Sequence, residues 1–296
     1  MSALAPIALF AYNRPDHLTK TLAALSKNTL ANESDLFIFS DGPKNEAAQE
    51  KVNEVRDLIK NIQGFRKVFI RESKENRGLA SSVINGVTAV VGEYGKIIVL
   101  EDDLVTSPYF LEFMNAALDK YEQQEEVISI HGYCLPIKGL PETFFIRGAD
   151  CWGWATWARG WSLFEPNGSL LLNEIRQKKL TRAFNFNNSY PYTRMLKKQI
   201  EGKNNSWAIR WYASAFLKNK LTLYPGSSLV KNIGNDDSGT HSKKNTGYDT
   251  YISQKPVNLQ TIPVSENAEA RKKMAAHMLK LTFISKIKRL TRLLPF

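Results

Sequence analysis

The sequence predicts an α/β protein, a Rossmann-like, mostly parallel sheet flanked by helices, with a basic amphipathic helix at its C-terminal end. Three observations carry this. Short apolar runs alternate with amphipathic stretches through the first hundred residues, the pattern of β–α units with right-handed crossovers. Each apolar run stops at a polar cluster, on the side where open α/β sheets bind ligands. The fourth run, Lys96-Ile97-Ile98-Val99-Leu100, leads straight into Glu101-Asp102-Asp103. Three adjacent carboxylates repel one another and resist desolvation unless a cation compensates them. Hard oxygen ligands at a strand end suit Mg²⁺ or Mn²⁺ shared with nucleotide phosphates.

Taken in order, Ile7 to Tyr12 is an apolar strand that stops at Asn13-Arg14-Pro15. Pro15 or Asp16 then opens a helix whose Leu18, Leu22 and Leu25 form one stripe. Leu36 to Ser40 is a second strand, ending at Asp41-Gly42-Pro43, and a polar helix over 47–62 keeps Val52, Val55 and Ile59 on one face. A third strand over 66–71 runs into the turn Glu75-Asn76-Arg77-Gly78, and a helix from Leu79 to Val91 returns to the acidic strand. Further on, the spacing predicts helices over 108–121, 170–182, 192–201 and 206–218, with strands over 127–131 and 221–224. Gly202 stops one helix and Ser206 caps the next.

Composition is that of an ordinary globular protein. Met1 to Pro6 lacks the basic flank and apolar stretch of a signal peptide, and no apolar run is long enough to span a bilayer. Cys134 and Cys151 allow at most one bridge and fit a reducing compartment, so the expected location is the cytoplasm. The net charge of +11 is concentrated between Arg271 and Phe296, which carry eight Lys or Arg and no acid. That concentration in the tail argues against a nucleic-acid-binding surface over the main body. No Gly-x-Gly-x-x-Gly follows the first strand and no Gly-x-x-x-x-Gly-Lys-Ser/Thr occurs, which disfavours dinucleotide dehydrogenases and P-loop enzymes.

The ordered set Tyr12-Asn13-Arg14, Ser40-Asp41-Gly42, Asn76-Arg77-Gly78 and Glu101-Asp102-Asp103-Leu104 resembles the nucleotide-sugar half of a GT-A glycosyltransferase. It is similar to family-2-like bacterial enzymes and to the N-acetylglucosaminyltransferase I type, over about Ile7 to Lys244. The resemblance implies that Asp103 holds the metal, Asp102 reaches the ribose and Glu101 faces the donor sugar. It also implies that Asp41 contacts the uracil, that Arg14 lies near the diphosphate-sugar, and that Asn13, Asn76 and Arg77 line the nucleotide-sugar site. On this reading 1–135 is the nucleotide-sugar half, 136–265 the acceptor and lid half of the same domain, and 266–296 a basic tail.

Cys151-Trp152-Gly153-Trp154-Ala155-Thr156-Trp157 concentrates tryptophans. Most such rings pack a core, but aromatic faces also stack on sugars. The run is similar to the sugar-binding segment of the bacterial enzymes, which places Trp152 and Trp154 at the sugar and Asp150 beside it. The eukaryotic family carries its base in a segment resembling Trp207-Ala208-Ile209-Arg210-Trp211, which here holds no Asp or Glu. An inverting reaction needs a carboxylate to deprotonate the acceptor, and Asp150 and Asp236 are the candidates, with Asp237 a poorer third. The Gly-rich stretch Asn232 to Asn245 reads as a lid, with His241 a second metal or phosphate ligand.

The expected activity is metal-dependent transfer from a UDP-sugar to a glycan or lipid-linked acceptor, with inversion, in cell-surface polysaccharide or lipopolysaccharide synthesis. A sugar-nucleotide nucleotidyltransferase is the enzymatic rival, weakened because Phe10 to Pro15 contains no glycine. A nucleotide-sugar-binding protein without a base is the other. Leu279, Phe283, Ile287, Leu290 and Leu294 share one helical face opposite most of the basic residues. That helix either docks on the domain or meets an anionic membrane surface, which would make the protein peripheral on the cytoplasmic face.

Overall fold

The computed structural model describes residues 3–236 and 246–291, with the side chains of the last helix described as far as Phe283. The first half is a run of β–α units: β1 (Ile7–Ala11), α1 (Pro15–Leu25), β2 (Asp35–Ser40), α2 (Glu46–Lys60), β3 (Lys67–Glu72), α3 (Leu79–Tyr94) and β4 (Lys96–Glu101). Next come β5 (Leu104–Thr106), α4 (Phe110–Lys120), β6 (Val127–His131), β7 (Thr143–Arg147) and β8 (Trp154–Trp157). Helices α5 (Ala158–Trp161), α6 (Gly168–Gln177), α7 (Thr181–Phe184), α8 (Tyr192–Ile200) and α9 (Trp207–Leu217) follow. The chain closes with β9 (Leu221–Pro225), β10 (Val230–Asn232) and α10 (Ala268–Thr291).

Eight strands form one sheet in the order β3-β2-β1-β4-β8-β6-β9-β7, and β10 pairs with β5 in a small second sheet. The first four are parallel. β8 is antiparallel to both β4 and β6, and β7 is antiparallel to β9. Winding runs outward from β1 through β2 to β3, then returns to place β4 on the other side of β1. The β1/β4 boundary is therefore the topological switch point, where such sheets open a ligand crevice. Arg14 follows β1 and the acidic triplet ends β4, so both sit at that crevice.

Alternation along β1 sorts its side chains. Ile7, Leu9 and Ala11 join the apolar layer that includes Leu18, Leu22 and Leu25 of α1, whereas Ala8 and Phe10 join the layer with Val83 and Val87 of α3. Pro15 starts α1, where a missing N–H costs nothing. The Asn45 side chain caps α2 by accepting from the Ala48 amide at 3.1 Å. Gly95, in the left-handed region, ends α3 and turns the chain into β4.

The expected helix over 170–182 is two helices, because Lys179 takes a positive φ of 55° after α6 and α7 begins afresh. Trp154 to Trp157, within the tryptophan-rich run, is a strand buried on both faces. The hydrophobic pattern carried no alternation to reveal it. Both cysteines are free thiols. Among the described residues no helix is long and apolar enough to cross a membrane.

Candidate active site

The acidic triplet splits by pleat and turn into three environments. Asp102 and Asp103 share one guanidinium: Arg14 Nη2 donates to Asp102 Oδ1 at 2.7 Å and to Asp103 Oδ2 at 2.6 Å. The Tyr12 amide donates to Asp102 Oδ2 at 3.3 Å, and the Thr21 hydroxyl to the Asp102 carbonyl at 2.9 Å. Burial raises the Asp102 carboxyl, against Arg14, and the Asp103 charge adds to the rise. Burial works against the Arg14 charge as well, yet Asp102 and Asp103 together raise its pKa and hold it protonated. Glu101 turns to the other face of the sheet, where the Trp207 indole at the start of α9 donates to it. Burial, then the charges of Asp103 and Asp102, push Glu101 up to about 8.

Asp103 Oδ1 is buried without a hydrogen-bond partner. Such an atom suits a divalent cation, being a hard anionic oxygen at a crevice with a coordination position to spare. Among the described residues no three His, Cys, Asp or Glu side chains converge to hold a metal. A cation here would be held by one or two protein carboxylates, an arrangement that suits Mg²⁺ when substrate phosphates complete the sphere. His241 and Asp237, named from the sequence, lie outside the described residues.

The crevice is roofed by the segment after β9. β10 pairs with β5, and the Ile233 amide donates to the Asp103 carbonyl at 2.8 Å. Gly234 then passes so close that an added Cβ would strike Asp103 Oδ2 and Arg14 Nη1. Only a residue without Cβ fits here. Two residues on, Asp236 Oδ2 lies 3.1 Å from His17 Nε2 of α1. That carboxylate therefore belongs to the α1 side of the crevice.

Asp41 has a different occupation from the one expected. Its Oδ1 accepts from the Gly42 and Arg77 amides, both at 2.9 Å. Its Oδ2 accepts from the Gly78 amide at 2.8 Å and from Asn76 Nδ2 at 3.2 Å. Four accepted bonds fill a carboxylate, so Asp41 here builds the turn that presents Asn76 and Arg77. Gly42 passes against the Glu75 main chain, where a Cβ would collide. Arg77 is exposed, while Asn13 and Asn76 are half-buried at the same strand ends.

Asp150 lies on the segment that returns from β7 to β8. Its side chain keeps 44% of its exposure. The Cys151 amide donates to Oδ1 at 2.8 Å and the Tyr224 hydroxyl to Oδ2 at 3.3 Å. His131, fully buried at the end of β6, accepts from the Trp152 amide through Nε2 at 3.1 Å and turns Nδ1 toward Asp150 at 4.0 Å. Burial lowers the His131 pKa, against the pull of Asp150, and favours the neutral ring. Besides Tyr224, the phenols of Tyr133, Tyr190, Tyr192 and Tyr248 lie within the electrostatic reach of the carboxylate. Each phenol is raised, first by burial and then with help from the Asp150 charge. Trp152 closes the ring edge-on to Tyr133 and Tyr248, at centroid distances of 4.7 and 6.1 Å.

The two sites meet at Cys151. Its thiol is raised well above the ordinary value by burial and then by the charges of Asp150, Glu101 and Asp103. Trp154 does not join them. It is fully buried, with the rings of Trp161, Trp207 and Trp211 at 5.4–5.8 Å, so it offers no face to a sugar and its expected role is corrected to core packing. Sequence reasoning missed His17, His131, Trp207 and the tyrosines. His131 ends a readable strand and Trp207 opens a readable helix, whereas nothing in the spacing of the tyrosines gathers them at Asp150. A groove of about 570 Å³ between α6 and α9 includes none of the predicted site residues.

A doubly wound parallel sheet, a carboxylate pair at its switch point and an antiparallel continuation define a GT-A architecture. Residues 7–138 match the family described as Glycosyl transferase family 2. No curated protein matches the chain. Among solved structures it is similar to a Pyrobaculum calidifontis mannosyltransferase in complex with GDP-Man and Mn²⁺, at 12% identity and a TM-score of 0.31, covering 45% of this chain and 36% of that one. It is also similar to residues 1–349 of S. aureus TarS, at 10% identity and a TM-score of 0.35, covering 54% and 48% of the two chains. The chain thus spans less than half the length of either.

Proposed function

We propose that the protein transfers a sugar from a UDP-sugar to a glycan or lipid-linked acceptor with inversion, using Mn²⁺ or Mg²⁺, in cell-surface polysaccharide or lipopolysaccharide synthesis at the cytoplasmic side of the membrane. The observation that carries this is the pairing of two unlike carboxylate sites across Cys151. One is buried, charged and incompletely coordinated; the other is half-exposed and ringed by aromatic side chains. Asp103, with Asp102, would hold the cation, which supplies Lewis-acid stabilisation of the departing diphosphate. Arg14 is already charged and within reach of the same oxygens, so it can follow the diphosphate when the carboxylates are otherwise engaged. Glu101, held by Trp207 on the other face of the sheet, would meet the donor sugar only from the Cys151 side. Asp150 takes the proton of the acceptor hydroxyl, and Trp152 with the tyrosines offers stacking faces and phenol groups to the acceptor ring.

Asp236 is the second candidate base, but its partner is His17 rather than the aromatic ring. The roof formed by 230–236 would exclude water from the activated donor. A thermal-shift panel of UDP-, GDP- and dTDP-sugars, with and without Mn²⁺, tests the donor, because a ligand bound to the native state raises its stability by mass action. A metal-dependent rise with UDP-sugars is expected. A nucleotide triphosphate with sugar-1-phosphate yielding product would instead favour the nucleotidyltransferase.

A further inference from the structure

The positive charge of this protein sits in two segments. Residues 176–203 carry eight Lys or Arg and one acid, Glu201; residues 271–296 carry eight and no acid. The other 242 residues hold 24 basic against 28 acidic side chains and are net negative. The fold joins the two segments. Buried Arg271 donates through Nη2 to the Ala183 carbonyl at 2.7 Å, and its guanidinium lies 4.1 Å over the Phe186 ring. One face of α10 onward, Thr282 Oγ1 donates to the Ser189 carbonyl at 3.1 Å. All eight basic residues of the first segment are exposed, as are Lys272 and Lys280. Glu174 and Glu201 pair with Lys178 and Lys203, which leaves the surface strongly positive.

Helix α10 has two apolar stripes. Ala270, Met274 and Met278 face inward and are buried. Leu279 and Phe283, on the outer side, keep 56% and 64% of their exposure, and Tyr251, three residues beyond Tyr248, keeps 96%. The sequence spacing of the outer stripe continues through Ile287 and Leu290. The helix thus docks on the domain by one stripe and leaves the other uncovered.

We propose that the exposed basic residues of 176–203 and the outer stripe of α10 form one docking surface for an anionic lipid membrane. Basic side chains draw such a surface to the headgroups and apolar ones enter the boundary of the acyl chains. A soluble polyanion would use the charges but would have no partner for Leu279, Phe283 and Tyr251. The surface also borders the aromatic ring: Tyr190 and Tyr192 belong to the basic segment, and His277 Nε2 lies 3.1 Å from the carbonyl of Gly247, next to Tyr248. Docking would therefore bring the mouth around Asp150 to the lipid surface. That orientation rests on the acceptor reading of Asp150; the docking itself does not.

The test is co-sedimentation of the full chain with vesicles of phosphatidylglycerol and phosphatidylcholine, against phosphatidylcholine alone, at low and high ionic strength. Binding should be at least about tenfold stronger to the anionic vesicles and should weaken with salt. Leu279→Glu with Phe283→Glu should lose about tenfold or more, and Lys197→Glu with Lys198→Glu several-fold, with unchanged thermal melting and donor hydrolysis. An intact protein that ignores anionic vesicles at low salt overturns the proposal. So does a Leu279/Phe283 variant that binds as well as the intact chain while soluble polyphosphate displaces the vesicles, because the surface is then a polyanion site. Wild-type binding by the Lys197/Lys198 variant overturns the joint surface. Vesicle binding without UDP-sugar turnover would keep the docking and remove the UDP-sugar reading, so the two can fail separately.

Discussion

The crevice at the β1/β4 boundary and the aromatic ring around Asp150 are built on opposite principles. At the crevice the carboxylates are buried, and Arg14, main-chain amides and Gly234 hold them with one oxygen left over. At the ring the carboxylate is half-exposed, fixed by a single amide and a phenol, and surrounded by flat side chains that bond weakly and in many directions. A site that must meet a fixed charge needs rigid, desolvated groups, because reorganisation would consume the electrostatic advantage. A site that receives a sugar of variable hydroxyl pattern works better with stacking faces and adaptable phenols. On the proposed reading, that difference suits the crevice to handling charge and the ring to taking a proton.

Asp103→Ala is the largest break in that comparison. It should reduce metal-dependent turnover by about a thousandfold or more and abolish the Mn²⁺-dependent thermal shift with UDP-sugar. Melting of the variant alone should change far less, since Arg14 keeps Asp102. Full turnover would remove the metal assignment.

Asp150→Asn should lower kcat by about a hundredfold or more while donor binding persists, because a base acts in the transition state. Asp236→Asn should cost much less, as its carboxylate faces His17. Equal losses would erase the distinction between the two regions, and near-normal turnover in both would remove the inverting assignment.

The two tryptophans give a sharper contrast. Trp154→Ala should destabilise the fold by about 3–5 kcal/mol, the cost of emptying a large buried site. Trp152→Ala should leave the melting temperature nearly unchanged and raise the KM for acceptor. Denaturant titration and initial-rate kinetics separate these outcomes.

The smallest expected effect concerns Glu101. Its folded pKa, pushed up to about 8 from 4.5, means that the native state holds this proton more tightly than the unfolded chain. The associated stability is complete below about pH 4.5 and disappears as pH rises through 8. Glu101→Gln should therefore match the wild type near pH 5 and melt about 3–6 °C higher than it near pH 9. A gap that does not widen with pH would show that Glu101 stays charged in the native protein.

Much of the crevice was legible because its parts are local. Strand ends carry Arg14, Asp41, Asn76 and the acidic triplet, and a four-residue apolar run before three carboxylates needs no tertiary information to be noticed. Asp41 was legible as a strand-end acid but not as a turn builder, since three of its four partners, two main-chain amides and one amide side chain, are brought from the next β–α unit. The ring around Asp150 was legible only as Asp150 and Trp152. Its tyrosines come from β9, from the segments after β6 and α7, and from the stretch before α10, and each looks like an ordinary core or surface phenol in isolation.

The sequence by itself determined the alternation of strands and helices, the side of the sheet on which polar groups gather, and the presence of a two-faced basic helix at 268–291. These follow from spacings of two and about four residues, which a chain carries wherever it folds. Tertiary structure decided which tryptophan is core and which is half-buried, that Glu101 turns away from its neighbours to Trp207, that His131 stands behind Asp150, and that two distant basic segments lie against each other. Those outcomes depend on the insertion of β8 between β4 and β6 and on the docking of α10 against 183–189. Both are set by the mutual fit of many buried side chains across the sheet, a property of the assembled packing that no single stretch contains.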